Sequence, residues 1–464
     1  MPSDPKLTII ILAAGQGTRM RSEHPKVLHR LAGRTLLDHV IHTTRKLQPA
    51  ATYVVVGHQA DAVKAGTEAD VAWIHQSEQL GTGHAVSQVM PHVDDDGVVL
   101  VVYADVPLVA AQTLHACVQA ARGGALGLVT ATLADPAELG RIVRGSNGAI
   151  ERIVEYQDAN PEQRTIAEIN SGILALNSGA LKQLLQAVEP NNAQGEYYLT
   201  DIIGLAVANQ ITVEGINAEH AEDVSGVNDR VQLAKLERIY QKREAERLMR
   251  DGVTIADPQR IDIRGEVTAG QDCFIDVNVV LSGRVVLGRG VALGPGVVIE
   301  DAVLGDDVRV EAHTVIQGAI VAARCTLGPF ARIRPGTELE EEVKIGNFVE
   351  TKKAHLGRGS KASHLAYLGD ATLGEDCNVG AGTVTCNFDG VDKHPTVIGD
   401  EVFIGTNSTL VAPLNIDSGA FVAAGSTITN KVARDELAVG RGKQRNIRGW
   451  VRPDRRKSDR KSEG

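Results

Sequence analysis

Two groups of residues in this 464-residue sequence have the types and spacing that chemistry needs. The first is Ala13-Ala14-Gly15-Gln16-Gly17-Thr18-Arg19-Met20, with Pro25-Lys26 shortly after it and Tyr103-Ala104-Asp105 far downstream. Glycines that follow a strand let backbone N–H groups close around phosphates. Arg19 and Lys26 can neutralise a triphosphate and the charge that develops during its transfer. A carboxylate at the carboxyl end of a strand, such as Asp105, is placed to ligate Mg²⁺ beside a nucleotide, where hard oxygen ligands are needed. The glycine spacing fits neither of the common phosphate-loop patterns. Taken alone, Gly-x-Gly also serves an ordinary tight turn, and Asp105 before Val106-Pro107 also suits one. The second group lies in residues 351–368: Lys352, Lys353, His355, Lys361, His364 and Tyr367. His364 can act as a general base, a role worth roughly 10²–10⁴-fold in rate. Its natural task is to deprotonate an amine before acyl transfer, with Arg334 and Lys352 holding a phosphate on the acceptor. A plain surface histidine is the alternative, and for His355 it is the preferred reading.

The elements that must carry these residues are of two kinds. Residues 1–228 alternate short apolar runs with helix-like stretches. The runs Leu7-Thr8-Ile9-Ile10-Ile11-Leu12, Thr52-Tyr53-Val54-Val55-Val56 and Val98-Val99-Leu100-Val101-Val102 read as strands buried on both faces. This is an α/β domain with a mostly parallel sheet, whose ligands sit beyond the carboxyl ends of the strands. Residues 229–252 read as one long helix, with an apolar stripe of Leu233, Leu236, Ile239, Tyr240 and Leu248 and a stop at Asp251-Gly252. They are the expected connector. From residue 287 to 428 an aliphatic residue returns every six positions, longest in Ile398, Ile404, Leu410, Ile416, Val422 and Ile428. So short a period means a β-helix, because one repeat cannot bury its own apolar face. The rhythm is expected to break at 351–368, and breaks in a solenoid collect function. The β-helix domain is expected over 253–450, followed by a charged, disordered tail at 451–464.

Composition sets outer bounds. The net charge of -10 argues against a nucleic-acid binder. Aromatic content is only 3%, as a narrow aliphatic solenoid interior would give. Five scattered cysteines without CxxC spacing predict reduced thiols in a cytoplasmic protein and no zinc site. The apolar run 7–14 is too short for a membrane span, so no membrane segment is expected.

The segment Leu12-Ala13-Ala14-Gly15-x-Gly17-Thr18-Arg19-Met20 with Pro25-Lys26 resembles the sugar-1-phosphate nucleotidyltransferase family. That resemblance implies a Rossmann-like α/β domain. In it Leu12, Ala13, Ala14, Gly15, Arg19 and Lys26 hold the nucleotide and its phosphates, Tyr103 and Ala104 belong to the site, and Asp105 ligates the metal. Gln76 and the run 79–85, with Gly81 and Thr82, resemble the base-recognition segment, with Gln76 and Thr82 facing a uracil edge. Gly140, Glu155 and Asn170 match sugar-contacting positions. Asn228 matches a second metal ligand, on resemblance alone. Residues 191–201 look like the N-acetylglucosamine-1-phosphate uridyltransferases.

Residues 364–370 and 378–390 resemble the acetyltransferase half of the bifunctional GlmU-type family, and the likeness runs over residues 7–450. It implies a left-handed parallel β-helix and a homotrimer with acetyl-CoA sites between subunits. Arg334, Lys352, Tyr367 and Asn378 would hold the amino sugar phosphate. Ala381, Asn387, Phe388, Thr406, Ala424 and Arg441 would line the acceptor and acetyl-CoA site. The implied activity is acetylation of glucosamine-1-phosphate by acetyl-CoA with His364 as base. Transfer of UMP from UTP to N-acetylglucosamine-1-phosphate follows, with Mg²⁺ on Asp105 and Asn228. The product would supply peptidoglycan and lipopolysaccharide synthesis, and so cell-wall biogenesis and cell shape. Many members have Gly at Ala104, Tyr at Phe388 and Ser at Thr406. Two rivals are a single-function nucleotidyltransferase with an inert β-helix and a translation-factor-like regulator. The histidine-bearing 351–368 segment argues against the first; Gly15, Arg19, Lys26 and Asp105, all present, argue against the second.

Overall fold

The run Leu7–Leu12 is apolar without interruption because both of its faces are covered. The computed structural model describes residues 5–67 and 69–452; residues 453–464 of the charged tail lie outside them. Ile9 and Ile11 pack with Val54, Val56, Leu100 and Val102 on one side of a sheet. Ile10 and Leu12 pack with Val55, Val99 and Val101 on the other. Each such aliphatic side chain contributes about 1.5–3 kcal/mol on full burial, so the strands are fixed from both layers.

Seven strands form the main path of this sheet: β1 (Leu7–Leu12), β2 (Ala51–Val56), β3 (Ala72–His75), β4 (Val98–Tyr103), β5 (Leu126–Thr132), β6 (Glu168–Asn177) and β7 (Val213–Asn217). Their order is β7-β5-β6-β4-β1-β2-β3. The pairs β1·β2, β1·β4, β2·β3 and β5·β7 are parallel, and β6 runs antiparallel to both neighbours. Leu12 stands opposite Tyr103 in the β1·β4 ladder. The glycine loop and Asp105 therefore leave the sheet side by side at its carboxyl edge, where a parallel sheet presents ligands.

Two helices matter below. The first, α1 (Leu36–Arg45), starts at Thr35, whose Oγ1 accepts from the Asp38 N–H at 3.1 Å. The long helix α2 (Arg230–Arg250) belongs to the first of two compact units, together with residues 257–267 and 280–283. Its buried Gln241 explains part of that. The Gln241 amide donates to the Ile263 carbonyl at 2.8 Å and accepts from the Ile263 N–H at 2.6 Å, tying the helix to that strand.

The second unit is a left-handed parallel β-helix. Aliphatic residues point inward from successive coils, with Ile275, Leu293, Val310, Leu327, Ile345, Ala362, Val379, Ile404 and Val422 in register. The partners stand 17 or 18 residues apart, three hexapeptides per coil, except between Val379 and Ile404, which stand 25 apart.

That register corrects one expectation. The stack does not break at 351–368. Lys344 pairs with Lys361, Glu350 with Tyr367 and His355 with Thr372, without a gap. The aliphatic marker lapses there because Thr351 and Ala362 take inward positions instead. Thr351 is tolerated inside because its hydroxyl bonds that of Thr337 at 3.1 Å. The extra residues come later, at 387–395, where the chain leaves the coil between Cys386 and Thr396. Among the described residues no helix is long and apolar enough to cross a membrane.

Candidate active sites

In the first unit, the loop after β1 is built from two glycines with different tasks. Gly17 has a φ of 63°, and a Cβ there would lie 2.6 Å from the Cβ of Lys26. It is glycine because its left-handed backbone and the closeness of Lys26 exclude a side chain. Gly15 has nothing within 4 Å of its would-be Cβ. The space it leaves is part of a hollow of about 340 Å³. Leu12, Ala13, Ala14, Lys26, Gln76, Gly81, Thr82, Tyr103 and Asp105 also line that hollow. An adjoining hollow shares Tyr103 and Asp105 and adds Arg19, Asn170 and Asn228.

Three distant segments converge where the two hollows meet. The Lys26 ammonium is paired with the Asp105 carboxylate and donates to the Asn228 carbonyl oxygen at 3.2 Å. Asn228 is brought there by the Val227 N–H, which donates to the Asp105 carbonyl at 2.8 Å, and by Gln232, which accepts from the Asn228 N–H at 2.7 Å. Two side-chain oxygens thus already face one cation. Hard oxygen donors of this kind suit Mg²⁺, with water and substrate phosphates completing its shell. Among the described residues no cluster of three or more His, Cys, Asp or Glu side chains could hold a metal by itself.

The expected base-recognition segment is tightly held by backbone contacts. Gly81, at φ 110°, is pressed against Tyr197, whose carbonyl would lie 2.6 Å from a Cβ. The Tyr197 N–H donates to the Leu80 carbonyl and the Gly83 N–H to the Tyr197 carbonyl, each at 2.8 Å. Residues 191–201 therefore act as a brace for this turn. The Thr82 hydroxyl accepts from the Leu199 N–H at 3.0 Å. Gln76 is buried, and its amide donates to the Gly81 carbonyl at 3.2 Å and meets His84 Nδ1 at 3.0 Å. Its carboxamide is thereby fixed in orientation.

Glu155 and Gly140 are neighbours: a Cβ on Gly140 would lie 3.1 Å from the Glu155 carboxylate. Burial holds the Glu155 carboxyl above its ordinary range, opposed by a bond from the Thr200 hydroxyl at 3.1 Å. The same carboxylate and Asp105, added to burial, push the Tyr103 phenol upward. Asn170 turns inward on its own strand, with Oδ1 accepting from the Gly172 N–H at 2.8 Å. Ala104 is fully buried in the sheet core, with its N–H donating to the Leu12 carbonyl at 3.0 Å. Its methyl thus belongs to the core and does not approach the hollow.

In the second unit the predicted residues fall into two neighbouring columns. His364 is one register step beyond Asn347, and its Nδ1 donates to Asn347 Oδ1 at 2.7 Å. An amide oxygen only accepts, so in the neutral ring Nδ1 carries the hydrogen and Nε2 keeps its lone pair. Continuing the same ladders two residues past the strand pairs places Ala381, Thr406 and Ala424 at the same corner of the next coils. Arg441 closes the column, donating to the Ala424 carbonyl at 2.6 Å.

The other column lies on the next sheet of the coil. Arg334 pairs with Glu350 at 2.6 Å, and Glu350 is opposite Tyr367. Asn387, at the start of the 387–395 excursion, bonds the Asp370 carboxylate. Phe388 is exposed and bridges to Lys393 across that excursion. Asn378 stands on the strand two coils above Lys344, outward.

Lys393 is a residue that motif reading missed. It touches Lys352, and that contact, with the charge of Lys393 and of Arg334, lowers the Lys352 ammonium below the ordinary lysine range. The signal was available in the sequence: the 25-residue step from Val379 to Ile404 marks an excess of seven or eight residues over an ordinary coil, and Lys393 lies within that step.

Comparison with known proteins covers both units. Residues 9–172 match the model of the MobA-like NTP transferase domain, residues 263–353 the GMPPB C-terminal domain, and residues 395–430 the hexapeptide repeat of succinyl-transferase. The Bifunctional protein GlmU of Marinobacter nauticus is 54% identical over 448 residues, covering 96% of this chain and 99% of that protein. The Bifunctional protein GlmU of Alkalilimnicola ehrlichii is 53% identical over 451 residues, covering 97% of each. A solved UDP-glucose pyrophosphorylase complexed with UDP-glucose aligns with 51% of this chain at 15% identity and a TM-score of 0.41.

Proposed function

We propose that this chain, which belongs to the family of bifunctional GlmU proteins, runs its two reactions on two separate groups of its own residues. It is a bifunctional transferase that acetylates glucosamine-1-phosphate with acetyl-CoA. It then transfers UMP from UTP to N-acetylglucosamine-1-phosphate, with release of pyrophosphate. The observation that carries the uridyl assignment is the meeting of Lys26, Asp105 and Asn228 from three segments of the chain.

For uridyl transfer, the Gly15 side of the loop leaves room for the UTP phosphates, and Arg19 and Lys26 offset their charge. Gln76, Gly81 and Thr82 receive the base, and Gly140, Glu155 and Asn170 receive the sugar. Asp105 and Asn228 would hold Mg²⁺, which supplies charge neutralisation on the phosphates. The acceptor phosphate oxygen attacks the α-phosphorus, and the bond to the bridging oxygen breaks as pyrophosphate leaves. Lys26 moves from its carboxylate partner toward the phosphates as they arrive, because a polyphosphate offers it more negative charge than Asp105 does.

For acetyl transfer, Arg334, Lys352 and Lys393 hold the acceptor phosphate, with Tyr367, Asn378 and Asn387 around the sugar. The amine nitrogen attacks the thioester carbonyl while His364 Nε2 takes its proton. The C–S bond breaks, and the imidazolium returns the proton to the CoA sulfur. Ala381, Phe388, Thr406, Ala424 and Arg441 line the acetyl-CoA side. The small side chains of that corner column would leave room there for a pantetheine chain.

The functional form is a homotrimer in this reading. Its support is an exposed aromatic column beside His364: His313 stacks on Phe330 at 5.1 Å, and Phe330 on Phe348 at 5.5 Å. Phe330 is 49% and Phe348 56% exposed, an apolar ridge that a second copy would cover. The five unpaired cysteines and the nucleotide and thioester substrates favour a cytoplasmic location.

The test uses the two half-reactions separately. His364→Ala should lose acetyl transfer by about 10²-fold or more and keep uridyl transfer, and Lys26→Ala should do the reverse. Loss of both activities from either change, in protein of unaltered mass, overturns the two-site reading. Phe348→Arg should yield monomers by light scattering and lose acetyl transfer while uridyl transfer persists.

A further inference from the structure

A third hollow in the first unit is used by neither reaction. It measures about 490 Å³, within the size range of small-molecule sites. The short hairpin of Arg30–Leu31 and Arg34–Thr35 forms one wall, α1 a second, and Arg264 with Tyr240 a third. The walls are in firm contact, since a Cβ on Gly33 would lie 3.0 Å from the Arg264 carbonyl.

Its charge sets it apart. Among the described residues Arg30, Arg34, Arg45 and Arg264 line it, with His39 and His42, against one lining carboxylate, Asp38. Asp38 is already engaged, accepting from the Thr35 hydroxyl at 2.6 Å. Arg30 donates to the Gly33 carbonyl at 2.6 Å and Arg45 to the Asp70 carbonyl at 3.2 Å. Among the described residues neither has a carboxylate partner. Arg34 reaches only an exposed Glu266 at 3.4 Å, and Arg264 shares Asp262 with Arg238. Asp38, His42 and Arg45 fall on one face of α1 at helical spacing, so the concentration of cations follows from the fold. On a chain whose net charge is -10, four guanidinium groups around one concavity form a local inversion of sign. The imidazole of His42 registers it: burial lowers its pKa first, and Arg34 and Lys46 lower it further.

We propose that this hollow binds a small, multiply charged oxyanion, a phosphate ester or a polycarboxylate, as an effector of the uridyl site. Planar guanidinium forks match both chemistries. The route to the uridyl site is a packed one. Leu31 and Ala32 of the hairpin share a core cluster with Met20 and Val227. Met20 follows Arg19 and Val227 precedes Asn228, so a shift of the hairpin reaches both sides of the phosphate site. The hairpin also follows directly on Lys26–Leu28 in the chain.

The test titrates the full chain with inorganic triphosphate, and separately with citrate, by calorimetry without Mg²⁺. Saturating UDP-N-acetylglucosamine, its own binding measured first, keeps the nucleotide site filled. One saturable site is expected for at least one probe, and the tighter probe identifies the chemical class. The double variant Arg30→Ala/Arg45→Ala breaks no ion pair among the described residues and should weaken that binding at least tenfold while melting like the parent. In the parent, the bound probe should change the UTP KM at least twofold, and the double variant should lose that change. No saturable binding of either probe, or binding untouched in the double variant, overturns the site. Binding without any change in KM overturns the effector role. Failure of the nucleotide to bind in the first step would instead count against the uridyl assignment.

Discussion

The two glycines of the phosphate loop should respond to alanine in opposite ways, and the structure gives the sizes. At Gly17 the φ of 63° places alanine in the left-handed region, a cost of roughly 1–2 kcal/mol. The new Cβ would also lie 2.6 Å from the Lys26 Cβ, a contact that only a backbone shift relieves. Alanine restricts the unfolded chain and returns roughly 0.4–1 kcal/mol. With the contact included, the net loss is about 2 kcal/mol, or roughly 4–8 °C for a unit of this size. Lys26 is displaced by the same shift, so uridyl transfer should fall with stability. At Gly15 the added methyl meets nothing in the folded chain, so the melting temperature should hold or rise slightly. The methyl instead occupies space in the hollow, and the UTP KM should rise on the order of tenfold, about 1.4 kcal/mol. Differential scanning calorimetry and the pyrophosphate-release assay on both variants decide it. If Gly15→Ala melts several degrees lower, or Gly17→Ala melts like the parent, the division of tasks between the two glycines is wrong.

Removing the amide oxygen that orients His364, as Asn347→Ala, should slow acetyl transfer roughly three- to tenfold, the worth of one net hydrogen bond; a loss as large as that of His364→Ala would show that Asn347 does more than position the ring. Glu155 titrates above its ordinary range because it is buried. The native state therefore keeps a proton that the unfolded chain has released, and stability falls as pH rises from the ordinary glutamate range through the raised value. Glu155→Gln should abolish that fall in melts across the acidic range, and a parallel pH dependence in both proteins would refute the assignment. Chelation of divalent cations should stop uridyl transfer and leave acetyl transfer intact in the same preparation, and loss of both would tie the metal to the β-helix.

Much of the first site was legible along the chain because its parts are local. A continuous apolar strand followed by Gly15, Gly17, Arg19 and Lys26 is one strand and its loop, and Asp105 ends another. Asn228 had no such context. It reaches the site through a hydrogen bond between the backbones of Val227 and Asp105, more than a hundred residues apart. Ala104 is a site residue on resemblance, and only the tertiary structure shows that its methyl is buried with the sheet core.

In the second half the sequence by itself determined the architecture, because a six-residue aliphatic period has one economical way to bury its faces. It also determined which residue types could do acyl chemistry. Only the stacked register decided where they meet. A lapse of the aliphatic marker at Thr351 and Ala362 looks like an interruption in one dimension, yet small and hydroxyl side chains fill the interior there and the coils pass through. The true excursion, at 387–395, is what brings Lys393 to Lys352. Which side chains become neighbours across coils depends on residue counts per turn, so the column of His364, Ala381, Thr406 and Ala424 exists only once the turns are stacked.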